Sequence, residues 1–138
     1  MRAGDSVADA LSRTVRYSKC DRRERRAISR ACTLVDVPVG AVLARESMPA
    51  REFAIVLSGA ATVHTGGRIT SALLAGDHFG EVALLDGAAS PATVIAETPM
   101  LLAVVSPGDF VALLDSSPTL ARAVLDALAR RVRISRAA

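Results

Sequence analysis

The sequence predicts a mainly β protein with flanking helices: an antiparallel β-roll of jelly-roll type between N-terminal helices and two C-terminal helices. Two observations carry this. From Leu34 to about Val105 the hydrophobic period is strand-like, and turn residues interrupt it at short intervals. On either side the period becomes helical, and helix-start signals stand at Asp21, Ser106 and Ser117. The expected organisation is a helical segment over 1–33, a roll over 34–105 and helices over 106–138.

At the N-terminus, Ser6-Val7-Ala8-Asp9 fits a variant capping box, with Val7, Ala10, Leu11 and Val15 at helical spacing. A second box, Asp21-Arg22-Arg23-Glu24, opens a helix whose Ala27, Ile28 and Ala31 face inward. Its other face carries Arg22, Arg23, Arg26 and Arg30, which reads better as a solvated surface than as a nucleic-acid patch.

Strands are expected near Val35–Val37, Val42–Arg45, Phe53–Ser58, Ala61–Thr65, Ile69–Leu74, Thr93–Ala96 and Leu101–Val105. Gly66-Gly67 reads as a two-residue hairpin turn. Beyond the roll, Ser106-Pro107 and Ser117-Pro118 each set a serine N-cap before a proline at the first helical position. The last helix carries an apolar stripe of Leu120, Val124, Leu125, Leu128 and Val132, which suits either core packing or self-association.

Composition bounds the function. A chain of 138 residues supports one core, and 51% hydrophobic with 22% charged content suits a globular protein. With aromatics at 3% and no Trp, stacking platforms for single-stranded nucleic acid are not expected. The net charge of +3 is uneven: Thr33 to Asp115 holds three basic residues against nine acids, a local charge of −6. Between Arg68 and Arg122 there is no Lys or Arg. Cys20 and Cys32 bracket one helix at roughly 18 Å, too far for a disulfide, so two free thiols and a cytoplasmic location are expected. No signal peptide is visible, and the apolar runs are too short to span a membrane.

The chemistry concentrates between Gly76 and Val94. Gly76 and Gly80 bracket Phe79, Glu81 opens the apolar run Val82 to Leu85, and a loop of small residues leads to Ala92-Thr93-Val94. This reads as strand, short helical turn, loop and strand. A helix start offers unpaired N–H groups to an anion, and Glu81 is placed to accept from hydroxyls, which together suit a sugar phosphate. Equally, Glu81 can complement the helix dipole while the glycines make turns.

The string Phe79-Gly80-Glu81-Val82-Ala83-Leu84-Leu85, followed by Ala92-Thr93-Val94, resembles the phosphate-binding cassette of cyclic nucleotide-binding domains. Such modules serve CAP-like regulators, cyclic-nucleotide-dependent kinases and gated channels. The resemblance covers roughly Val15 to Arg133 and implies an eight-stranded roll, or double-stranded β-helix, with the cassette at 79–94. It implies that Glu81 holds the ribose 2′-hydroxyl, and that a loop Arg and the N–H after it hold the cyclic phosphate. Those two positions fall on Ser90 and Pro91, which have no charge and no N–H respectively. The implied ligand-binding set is Phe79, Gly80, Glu81, Val82, Ala83, Leu84, Ser90, Pro91, Ala92 and Thr93. Arg122 is the cation expected to reach in from the last helix. Ser47 stands after Glu46 where the family has Gly, a departure that bears on turn geometry.

The resemblance implies a non-enzymatic regulatory module that needs no cofactor, takes cyclic AMP or cyclic GMP, and transmits occupancy through its C-terminal helices. Ser90 and Pro91 make that binding weak or altered. The alternative is a ligand-free module of the same fold, acting in dimerisation or protein docking. No helix-turn-helix follows the last helix, so DNA binding by this chain alone is not expected, nor is a membrane partner. A metal site of cupin type would need clustered histidines. Only His64 and His78 exist, without His-x-His spacing, and His78 beside Asp77 is expected exposed in a turn.

Overall fold

The structure, a computed structural model, describes residues 3–14 and 17–137, with side chains for 7–14 and 17–133. Helices α1 (Ala3–Ser12) and α2 (Arg22–Ala31) precede the roll. Its strands are β1 (Thr33–Val37), β2 (Val42–Ala44), β3 (Phe53–Ser58), β4 (Ala61–Thr65), β5 (Arg68–Leu73), β6 (His78–Phe79), β7 (Thr93–Ala96) and β8 (Met100–Val105). Helix α3 (Glu81–Asp86) sits between β6 and β7, while α4 (Pro107–Ser116) and α5 (Pro118–Ala137) follow the roll. The strands form two antiparallel four-stranded sheets, ordered β1-β8-β3-β6 and β2-β7-β4-β5.

Strand β3 organises the packing because both of its faces are covered. Phe53, Ile55 and Leu57 turn to a core shared with the helices, among Leu11, Ile28, Phe110 and Leu120. Ala54 and Val56 turn into the roll, against Phe79, Val94, Met100 and Leu102. Period-two alternation thus feeds two cores from one strand. Each fully buried large side chain contributes about 1.5–3 kcal/mol. Phe53 also stacks on Phe110 of α4, ring centroids 4.5 Å apart.

Local chemistry sets the element ends. Gly66 and Gly67 have φ of 59° and 78°, so the β4–β5 hairpin turn uses two left-handed residues, as a two-residue loop requires. Asp21 caps α2 through the Glu24 N–H, with Glu24 reaching back to the Asp21 N–H. Ser106 caps α4 and Ser117 caps α5, accepting from the N–H groups of Asp109 and Leu120. Three expectations need correction or narrowing. Helix α1 starts at Ala3, so Ser6 lies inside it and does not cap it; Val15 lies outside the described residues. Strand β6, at two residues, is too short to leave an alternation in the sequence. On α5, Leu120 and Val124 are buried and Leu128 is half-buried, while Leu125 and Val132 stand exposed; the stripe is chiefly core.

Candidate ligand site in the roll

Gly80 makes the site's backbone possible. It is the N-cap of α3 at φ 98°, and a Cβ there would lie 2.4 Å from the Glu52 carbonyl oxygen. Only glycine fits both constraints. The next residue, Glu81, is 2% exposed, and its Oε2 accepts from His78 Nδ1 at 3.2 Å. Burial pushes the Glu81 carboxyl up, but the His78 hydrogen bond and charge, its own backbone N–H and the Arg131 charge outweigh that and hold it below its ordinary value.

His78 is therefore not an exposed turn residue. It is buried on β6, its ring 5.3 Å from that of Phe53, and its Nε2 has no hydrogen-bond partner. The pairing of β6 with Ala54 and Ile55 draws it inside. His64 lies on β4 of the other sheet, bonded to Thr62, so the two histidines do not assemble a metal site.

The loop after α3 is tied to the segment at 47–49. Ser90 N–H donates to the Met48 carbonyl at 2.8 Å, Ser47 N–H donates to the Ser90 carbonyl at 2.9 Å, and Ala89 bridges Pro49. The Ser90 hydroxyl donates to the Ala92 carbonyl at 2.7 Å. Pro91 is exposed and has no N–H. Thr93 Oγ1 accepts from the Glu46 N–H at 2.9 Å.

Seven of the expected residues, Phe79, Gly80, Val82, Ala83, Ser90, Pro91 and Ala92, line one cavity. Glu81, Leu84 and Thr93 are not on its wall; Leu84 packs against the core shared with the helices. The cavity is about 40 Å³, far below the ~300–1,000 Å³ of sites that enclose small-molecule ligands. A wider groove of about 410 Å³ adjoins it, sharing Ala44, Phe79, Gly80 and Ser90 and bordered by Arg45, Met48, Arg51 and Glu52.

The site's cation comes from the far end of the chain. Arg131 of α5 lines the cavity, whereas Arg122 is exposed and paired with Asp126 at 3.1 Å. Helical spacing carried the signal, because Val124, Leu128 and Arg131 recur at i, i+4 and i+7 on one face.

Two antiparallel sheets closed into a roll, a short helix opened by Gly80-Glu81, and a long helix laid against it define a cyclic nucleotide-binding domain. The family model for the cyclic nucleotide-binding domain matches residues 34–117, more than half of the chain, which belongs to that family. A cyclic nucleotide-gated potassium channel of Mesorhizobium japonicum is 37% identical over 94 residues, covering 68% of this chain and 26% of the channel. The chain thus matches about a quarter of that relative's length. Among solved structures, PKAR CBD2 with bound Sp-2Cl-cAMPS superposes with TM-score 0.80 at 22% identity, covering 97% of this chain and 87% of that one. The regulatory subunit of a cAMP-independent protein kinase A from Trypanosoma brucei gives TM-score 0.79 at 23% identity, covering 96% and 46%. At these identities the likeness is one of fold. Among the described residues, no helix is long and apolar enough to cross a membrane.

Proposed function

We propose that this domain is a non-catalytic regulatory module for cyclic AMP or cyclic GMP, with weakened affinity, whose occupancy is passed on through α5. The observation that carries the reading is the meeting of the cassette with α5. Phe79, Gly80, Val82, Ala83 and Ser90 to Ala92 frame one cavity, and Arg131 lines it from the C-terminal helix. A ligand entering there has to displace or recruit α5. Weak binding follows from Ser90, whose donors are already engaged, and from Pro91. The Trypanosoma brucei subunit described as cAMP-independent offers a parallel. A triple mutant of it, with a threonine changed to arginine and the following valine to alanine, is bound to cAMP in the A site.

The thiols of Cys20 and Cys32 are free, pushed up by burial to about 11 and about 12, and suit a reducing cytoplasm. Thermal unfolding with and without cyclic AMP and cyclic GMP tests the function. A ligand that binds only the native state adds about 2.7 kcal/mol at ~100 Kd, so a midpoint that rises with nucleotide concentration is expected. A flat midpoint up to millimolar nucleotide favours the second reading, a ligand-free unit for dimerisation or docking. That reading is supported by the small size of the cavity and by exposed Leu125 and Val132 on α5.

A further inference from the structure

We propose that Arg131 supplies the positive charge for the ligand's anionic group, in place of the cassette loop. This rests on the cyclic nucleotide reading above and names the residue that takes over the loop's task. The loop is excluded by its own bonding. Ser90 directs its N–H to Met48 and its hydroxyl to Ala92, and Pro91 has no donor. Among the residues lining the cavity, Arg131 is the one Lys or Arg; the other basic side chain there, His78, is engaged with Glu81 through Nδ1. Among the described residues Arg131 enters no ion pair.

The position of Arg131 is fixed from below. Val124 is buried and Leu128 packs on the core, and these two place the same face of α5 over the roll. Its charge is felt at the Glu81 carboxyl, which it helps to hold down. The cavity thus has a cation suited to a phosphate, with the buried Glu81 carboxylate behind its wall. A guanidinium can hold that phosphate bidentately. Because the cation belongs to α5 and not to the roll, the ligand's charge acts directly on the helix that carries the signal.

The test is a ¹⁵N NMR titration with cyclic AMP and, separately, with uncharged adenosine. The proteins are wild type, Arg131→Gln, Arg131→Lys, and the Ser90→Arg/Pro91→Ala variant with and without Arg131→Gln. The Arg131 side chain is exposed, so its replacement is expected to leave the fold intact. Arg131→Gln is expected to weaken cyclic AMP by about tenfold, or ~1.4 kcal/mol, and adenosine by none. Arg131→Lys is expected to restore part of the loss. In the Ser90→Arg/Pro91→Ala background the loss shrinks, because the loop now carries its own cation. Equal losses for both ligands overturn the proposal, since Arg131 would then meet base or sugar. Unchanged cyclic AMP binding overturns it too, leaving Arg45 and Arg51 of the adjoining groove as the source of charge. If neither wild type nor the Ser90→Arg/Pro91→Ala protein binds cyclic AMP, the nucleotide reading itself fails and takes the proposal with it.

Discussion

The Ser117 hydroxyl donates to a Glu24 carboxylate oxygen at 2.6 Å, joining α2 to the start of α5 across 93 positions of chain. The same carboxylate accepts from the Thr119 N–H at 2.9 Å and the Thr119 hydroxyl at 3.1 Å. Glu24 also completes the α2 capping box, so one buried side chain ties both ends of the domain together. The start of α5 is therefore anchored to α2.

Glu24→Gln is expected to lower stability at neutral pH by about 1–3 kcal/mol, since hydrogen bonds to a charged acceptor are lost or left poorly matched. Burial raises the Glu24 carboxyl, but the bonds from Ser117, Thr119 and Asp21 prevail and hold it below its ordinary 4.5. A depressed folded-state value stabilises above the unfolded value, and that contribution fades as pH falls through the folded one. Denaturant titrations should therefore show the gap between wild type and variant closing below about pH 4.5. A gap that stays constant with pH would remove the charge from this account.

For ligand binding, missing one member of a buried charged pair costs roughly 2–5 kcal/mol, about 30- to 3,000-fold in affinity. Wild-type binding of cyclic AMP is expected to be weak or undetectable by calorimetry. Ser90→Arg with Pro91→Ala should strengthen it by about tenfold or more, and Ser90→Arg alone by less. Tight wild-type binding would mean that other groups fully replace the loop's donors.

Ser47 has φ 69°, the one non-glycine residue with positive φ among the described residues. Left-handed backbone costs an L-residue about 1–2 kcal/mol, so Ser47→Gly is expected to stabilise the fold slightly, by about 0.5–1 kcal/mol. Gly80→Ala should do the reverse, by more than about 1 kcal/mol, because strain and a clash with Glu52 coincide. Thermal midpoints of the two variants moving in the same direction would refute this reading of the turns.

On α5, the two classes of apolar residue should separate. Leu128→Arg inserts a charge beside the core and is expected to destabilise by about 1–3 kcal/mol. Leu125→Arg lies on the exposed side and should leave the thermal midpoint unchanged. If α5 mediates self-association, sedimentation will show a concentrated wild-type dimer that Leu125→Arg dissociates. A wild type that sediments as a monomer at all concentrations assigns the stripe to the core alone.

By itself the sequence determined most of the roll, because strand-length apolar or alternating runs are separated by glycine or proline turns, as at Gly66-Gly67; the two-residue β6 left no such pattern. It also determined the caps at Asp21, Ser106 and Ser117, whose partners lie within three residues. The cassette was legible as a string, since Phe79 to Leu85 and Ala92 to Val94 are short contiguous stretches. Only tertiary structure decided the rest. Whether His78 is exposed depends on the pairing of a two-residue strand with β3, which no local pattern announces. The second set of Glu24 bonds needs a residue 93 positions away. Likewise the cavity's cation comes from Arg131 and not Arg122, because the rotation of a long helix against the roll is fixed by Leu120, Val124 and Leu128 packing into a core built from the whole chain. Charge placement at long range follows from that packing, and packing is written in no single stretch of sequence.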